Sequence, residues 1–470
     1  MPLGLSSKGI TRFFGIPSRR DLKKKVIRWL ILGLIIRLVL MPITAQIDLI
    51  NNYVFAHFIV NHGMYDVYSL RGISNNIALL YPPLAYYYMA GNLYLASPFL
   101  PSTYPKVFDN ALNLGVIASG LPLDTRLQLI WNYVMNGLGN GFYVFAFLVK
   151  LPLLFFDLGC AFILLQMIED KDKASTVFKF WMINPIVILI TYMQGQFDII
   201  PAFLILLSVF FIKQGKMNRS FFSLGLSIAF KLFPVLLVPF NLLLSRQVYK
   251  KPIMKSRILL LFVLAVGPLF LSVLPFFGSY LSNLSSWQFS AATPGALSFQ
   301  LSQFDLLVPY AIVYALLLLF AWQNSSFSHI TIAKYGLAVL LSYYALNFFH
   351  PQFFIWVTPL IFLLMAYTPN FGKYFLLQLL TLFIYTFNWG NYYGLYLFTP
   401  IYRPFFSWPS PKDLIGNYVD PTFFLGIVRS FFSAICLWMI WEMIKTERKA
   451  ASAANSTGNE KATAPKLTEG

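Results

Sequence analysis

Long apolar runs separated by short basic loops dominate this sequence, and they leave few ways for the chain to fold. Runs at about 26–44, 142–167, 180–212, 220–244, 258–278, 306–322, 335–349, 353–367, 374–390 and 422–443 are almost free of charge. A helix needs roughly 20 residues to cross a bilayer core. The run 180–212 is long enough for two short helices with a break at Gly195-Gln196, and 220–244 breaks at Lys231-Leu-Phe-Pro234. The chain is 58% hydrophobic and 11% charged, whereas soluble domains carry about 25% charged residues. The expectation is an all-α, polytopic integral membrane protein of about 12 helices, some short or broken.

The basic residues set the topology. Lys8, Arg12, Arg19, Arg20, Lys23, Lys24, Lys25 and Arg28 crowd the N-terminal stretch, which places it in the cytoplasm. The first apolar run lacks a small-residue cleavage site and reads as a retained helix rather than a signal peptide. Its Arg37 reads as a snorkelling or bundle-facing charge. Later clusters at 171–179, at Lys213/Lys216/Arg219 and at Arg246/Lys250/Lys251/Lys255/Arg257 fall inside only if 45–141 is one large outer loop with surface-lying helices. That arrangement forces short or re-entrant helices around the two breaks. Non-helical backbone at such depth survives only against protein or a water-filled cavity, so the breaks are places where a site can be lined. The expected organisation is a basic cytoplasmic N-terminus 1–25, a seven-helix module 26–278, a variable helical region 279–443 and a disordered cytoplasmic tail 444–470.

The net charge of +18 sits in these loops, so it reads as membrane orientation and not as nucleic-acid binding. Cys160 and Cys436 lie inside apolar runs, which argues against a disulfide framework or a thiolate metal site. No Walker A pattern, dinucleotide-binding glycine set or zinc-protease helix is present. No cofactor is expected. No metal ligand set is assigned: Asp48, Asp66 and Asp198 are the carboxylates read as available on the outer face, and a metal needs several that converge.

Polar residues in so apolar a chain are costly and therefore informative. Asp48, directly after the first helix, is placed either as a general base or as the N-cap of a surface helix. Tyr81-Pro82-Pro83 opens an aromatic helix. Gln196 and Asp198, with Asn184 and Gln194, can hydrogen-bond a sugar or satisfy backbone freed by the break. Lys231 is either a phosphate partner or one half of an ion pair with Asp198 or Asp157. His350, between two runs, is a phosphate donor or a satisfied structural group. Arg403, in the last long outer loop, is a phosphate clamp or an interfacial anchor.

In order, Asp48, Tyr81-Pro-Pro-Leu84, Phe156-Asp157-Leu158, Asn184-Pro185, Gly195-Gln196-Phe197, the Lys231 break, Leu274-Pro-Phe-Phe277 and His350 resemble the motifs of the GT-C superfamily of membrane glycosyltransferases. Within it the chain looks most like the dolichyl-phosphate-glucose-dependent glucosyltransferases and their prokaryotic polyprenyl-phosphate-sugar relatives. The resemblance departs at Pro351-Gln352, where those glucosyltransferases have Glu-Lys, and at Gln196, where they have His. What it implies is an inverting hexosyltransferase moving mannose or glucose from a polyprenyl-phosphate-linked donor to a lipid-linked or protein glycan acceptor on the outer or lumenal face. Asp48 would be the base, with His350, Lys231, Arg403, Gln196, Asp198 and Tyr81 binding the donor. The membrane would be a prokaryotic plasma membrane, or the ER membrane in a eukaryote. A transporter or flippase of lipid-linked sugars is the alternative, since broken helices at a midplane site also suit transporters. Against it, the sequence shows no inverted internal repeat.

Overall fold

The computed structural model describes residues 20–462, apart from 73–78, 80, 122, 250, 287–298, 301–305 and 325–326. Helices carry almost all of it. Two-residue strands at Phe299–Gln300 and Leu306–Leu307 pair antiparallel. Among the described residues, five helical segments are long and apolar enough to cross a membrane: Arg20–Ile43, Gly141–Met167, Lys171–Gln194, Ile253–Leu284 and Pro421–Lys445. Shorter apolar helices lie at Ile199–Lys213, Phe233–Val248 and Pro309–Gln323. The protein is an all-α polytopic integral membrane protein, and several of its apolar runs are broken into shorter helices.

Helix α1 (Arg20–Ile43) is followed by α2 (Ile47–His62), α3 (Pro83–Ala96), α4 (Tyr104–Ile117) and α5 (Leu123–Leu138). At 1.5 Å per residue, 14 residues reach only about 21 Å. None of α2 to α5 is among the helices able to cross a membrane, and they fill the stretch expected to form surface helices. Then come α6 (Gly141–Lys150) and α7 (Leu153–Met167), a single apolar run interrupted at Leu151-Pro152. The basic stretch 171–179, expected as a loop, is instead the start of α8 (Lys171–Met182), because Asp170 caps it by accepting from the amides of Asp172 and Lys173.

The two breaks fall where the sequence places them. After α8, the chain runs through Pro185–Val187 into a π-helical segment, Ile188–Gln194, that ends at Gly195. Gly195 has φ +82°, and a Cβ there would meet Leu49 Cδ1 at 2.8 Å and Lys150 Cε at 3.0 Å. Only glycine fits both the left-handed backbone and the space. Helix α9 (Ile199–Lys213) leads to α10 (Met217–Phe230), which stops at Lys231 in extended conformation. Gly225 of α10 packs against α11 (Lys251–Val273), where an added Cβ would collide with the backbone oxygens of Leu264 and Ala265.

The later helices are α12 (Pro309–Gln323), α13 (His329–Leu346), a 3-10 segment Pro351–Trp356, α14 (Thr358–Met365), α15 (Phe371–Tyr385) and α16 (Pro421–Ala462). Helix α16 packs on α13 and α15. It runs on to Ala462, through much of the stretch expected to be a disordered tail. The remaining tail residues 463–470, most of the basic N-terminus and most of the expected outer loop 279–305 lie outside the described residues.

Arg37 is bundle-facing. Its Nε donates to Asp157 Oδ2 at 2.6 Å and its Nη1 to the carbonyl oxygen of Met182 at 2.6 Å. Asp157 also accepts from Trp181 Nε1 at 2.7 Å and Tyr192 OH at 2.6 Å. This fully hydrogen-bonded carboxylate joins α1, α7, α8 and the π-helical segment. Lys150 donates to the carbonyl oxygens of Met41 and Thr44, satisfying acceptors that the end of α1 leaves open. Together these contacts fix the turn from which Asp48 projects.

Candidate functional site

The breaks and the large loop converge on one cavity of about 710 Å³. Helix α2 contributes Asp48, Asn51 and Asn52 to its wall, and Tyr81 stands before α3. Lys231, His350, Gln352 and Trp356 come from the broken segments, and Trp389, Tyr392 and Tyr393 from the stretch after Phe371–Tyr385.

Asp48 lies in the first turn of α2, where a negative charge is favoured by the helix dipole. It is not the N-cap: that position is Gln46, whose side chain makes no capping bond. Asp48 Oδ2 instead accepts from Gln196 Nε2 at 3.0 Å, and the same amide lies 3.3 Å from Gln46 Oε1. Burial pushes the Asp48 carboxyl above its ordinary range, while the bond from Gln196 and the charge of Lys231 pull the other way. Gln196 is placed by Gly195, so the glycine that ends the π-helical segment also aims the amide.

Lys231 is 5% exposed. Its Nζ lies 2.6 Å from Asp198 Oδ1, and the same oxygen accepts from Trp356 Nε1 at 2.5 Å. The ammonium sits 4.9 Å from the ring centre of Tyr81, 5.1 Å from Phe197, 5.4 Å from Phe353 and 5.5 Å from Trp356. Four rings around one ammonium supply the face-on attraction that partly replaces lost hydration. Phe233 stacks on Trp356 at 3.6 Å. Of the two pairings open to Lys231, the structure takes Asp198, because Asp157 is held by Arg37.

His350 lies at the junction between α13 and the 3-10 segment, with its ring 5.5 Å from Trp389 and 5.7 Å from Phe353. Burial, and then the charge of Lys231, lower its pKa, so the imidazole facing the cavity is neutral near pH 7. Asp48, Tyr81, Lys231 and His350 therefore line one space, with Gln196 and Asp198 immediately behind it. Arg403 does not join them. It is exposed at the start of the 3-10 turn Arg403–Ser407 and is not among the residues lining the cavity. Arg126 of α5 takes a place in the wall instead. Nothing in the sequence near Arg126 distinguishes it from other loop arginines.

Carboxylate, amide, imidazole, guanidinium and ammonium groups alternate with aromatic rings, which suits a polar, hydroxyl-rich head group. Among the described residues lining the cavity there is no Ser, Thr or Cys. Both cysteines are fully buried elsewhere.

Residues 133–311 match the family model of the GPI transamidase subunit PIG-U. No curated protein and no solved structure matches the chain. The PIG-U match takes in Gln196, Asp198 and Lys231, while Asp48, Tyr81 and His350 fall outside it. It overturns the expectation of a polyprenyl-phosphate-sugar-dependent hexosyltransferase: the family so matched is a subunit of a transamidase, which forms an amide and not a glycosidic bond. The mannosyl- or glucosyltransferase reading is withdrawn on that ground, and the flippase alternative with it. Neither the polyprenyl-phosphate-sugar donor nor a prokaryotic plasma membrane draws support from the match. The chain's similarity to PIG-U spans its central helices and leaves the membrane character intact.

Proposed function

We propose that this protein is a membrane-embedded, non-catalytic subunit of a transamidase-type complex, and that its cavity holds the glycan head of a glycophospholipid anchor. The observation that supports this most is the combination of the PIG-U match over residues 133–311 with a large polar-aromatic cavity whose wall, among the described residues, lacks a hydroxyl or thiol nucleophile of the Ser, Thr or Cys type. Transamidation needs such a nucleophile to take the acyl group from a peptide bond. A second subunit would supply it, and this chain would present the amine-bearing lipid.

The groups divide by chemistry. Asn51, Asn52, Gln352 and Asp48 offer acceptors and donors to sugar hydroxyls. The neutral His350 and the cationic Arg126 suit a phosphate. Lys231 holds the aromatic floor together through Asp198. The ER membrane is the location this reading carries, with the cavity facing the lumen.

The test is equilibrium binding of a fluorescent glycosylphosphatidylinositol to the purified full chain in detergent. Wild-type protein should bind saturably. Asn52→Leu and Gln352→Leu should each weaken binding about tenfold, the equivalent of roughly 1.4 kcal/mol. Arg403→Ala, away from the cavity, should leave it unchanged. Equal binding by all four proteins would sink the proposal.

A further inference from the structure

Away from this cavity, on the outer stretch between α1 and α6, three metal-ligating side chains meet. His57 and His62 belong to α2, and Asp109 to α4. His57 Nε2 lies 3.0 Å and His62 Nε2 2.7 Å from the same oxygen, Asp109 Oδ1. One donor atom from each of the three residues falls within 4.8 Å of the others. Helical spacing alone does not bring residues five apart onto one face. They meet because His62 is the last residue of α2, before the left-handed Gly63. Its ring folds back to stack on Phe58 at 5.0 Å, beside His57 at 5.3 Å.

We infer that His57, His62 and Asp109 form a divalent transition-metal site, best suited to Zn²⁺, that staples α2 to α4. Two imidazoles and a carboxylate are a regular ligand set for zinc, with bonds of about 2.0–2.2 Å. Tetrahedral geometry then puts ligand atoms about 3.4 Å apart. The present 2.7 and 3.0 Å separations need to open by about 0.7 and 0.4 Å to reach that spacing, with all three donor atoms already within 4.8 Å of one another. The side chains of His62 and Asp109 are 44% and 34% exposed, so they have freedom to move and leave room for a water as fourth ligand. Two nitrogen donors disfavour Mg²⁺ and Ca²⁺, which take oxygen.

The surroundings of His57 meet the second requirement of such sites, a partner that orients the ligating imidazole. His57 is itself fully buried, with Phe58, Phe108 and Tyr104 edge-on around its ring. Its Nδ1 lies 2.8 Å from Asn61 Nδ2. Metal on Nε2 requires the proton on Nδ1 and hence an acceptor opposite it. Asn61 can provide one by turning its amide over. Both of its amide atoms lie within hydrogen-bond distance of Tyr104 OH, Nδ2 at 3.0 Å and Oδ1 at 3.2 Å. That hydroxyl donates or accepts as required, so the turned amide keeps its partner.

The site acts on the cavity through its walls. Asp48, Asn51 and Asn52 of α2, and Ala111, Leu112, Gly115 and Val116 of α4, all line the cavity. His57 is nine residues from Asp48 along α2, about 14 Å, too far for the metal to touch the bound head group. Its role is to fix two helices that shape the wall. This holds whether or not the cavity takes a glycophospholipid.

The experiment uses the full chain, purified without a polyhistidine tag, stripped with chelator, offered one equivalent of Zn²⁺ and desalted. Elemental analysis should return one Zn²⁺ per wild-type chain, and background levels for Asp109→Asn and His62→Gln. His62 is exposed and Asp109 partly so, and size-exclusion profiles check that the variants remain folded. Co²⁺ in place of Zn²⁺ should give the visible absorption of a four-coordinate ion in wild type alone, and Zn²⁺ should raise the unfolding temperature of wild type alone. Wild-type protein retaining no more metal than the two variants would overturn the inference and leave the trio as a hydrogen-bonded clip.

Discussion

Replacing Lys231 by methionine isolates the strongest electrostatic commitment in the cavity. The methionine keeps most of the volume but leaves Asp198, whose side chain is fully buried, with Trp356 Nε1 as its remaining partner on Oδ1. Asp198 Oδ2 has no hydrogen-bond partner among the described residues, so nothing else is in place to take the charge. Removing one member of a buried pair typically costs about 3–5 kcal/mol, because the other charge stays behind uncompensated. Adding Asp198→Asn to Lys231→Met removes that charge, and most of the loss should return, giving a coupling energy of at least about 2 kcal/mol. Chemical denaturation of the four proteins of the cycle in one detergent, followed by tryptophan fluorescence, measures it, since Trp356 stands at the pair. A single variant as stable as wild type, or a double variant no better than the single, would refute the assignment of Lys231 as half of a structural pair.

Two further outcomes follow from the site. Gly195→Ala should destabilise the protein by at least about 1–2 kcal/mol, the cost of a left-handed backbone for an L-residue, and should also weaken head-group binding by displacing Gln196; unchanged stability and binding would mean the turn is not a constraint. His350 is held below its ordinary pKa, so it is neutral in the fold and protonation opposes folding. Its contribution is complete above the unfolded value of about 6.5 and is lost as pH falls below it. Unfolding temperatures at pH 7.5 and 5.5 should therefore differ more for wild type than for His350→Gln, and an identical difference would remove His350 from the account.

Much of the fold was legible because charge and glycine stand out in apolar runs. The breaks at Gly195 and at Lys231 were visible as polar interruptions of segments too long or too short for whole crossings. Helix α8 was not, because its basic first turn looks like a loop until Asp170 is seen to cap it. Asp48, Tyr81, Lys231 and His350 could be grouped only through an ordered set of motifs, since 302 positions separate Asp48 from His350 and no local rule joins them. Arg403 shared their chemistry but not their place. Lys231 was correctly suspected of an ion pair, but the sequence offered Asp157 and Asp198 equally, and only the presence of Arg37 beside Asp157 decides between them. His57, His62 and Asp109 escaped notice because five-residue spacing is not a metal-ligand signature and Asp109 arrives through tertiary packing. The activity is not legible for a different reason: an ordered set of short motifs in apolar helices does not carry a chemistry with it. Asp48 itself is placed by tertiary packing, since the amide it accepts from, Gln196, lies 148 positions away.

The most direct test of the central claim is native mass spectrometry of the purified full chain, offered together a glycosylphosphatidylinositol, phosphatidylinositol without the glycan, and a polyprenyl-phosphate hexose. The account predicts one glycosylphosphatidylinositol per chain, retained in preference to both competitors and recovered chemically unchanged. Preferential retention of the polyprenyl-phosphate hexose, or its consumption during incubation, would contradict it.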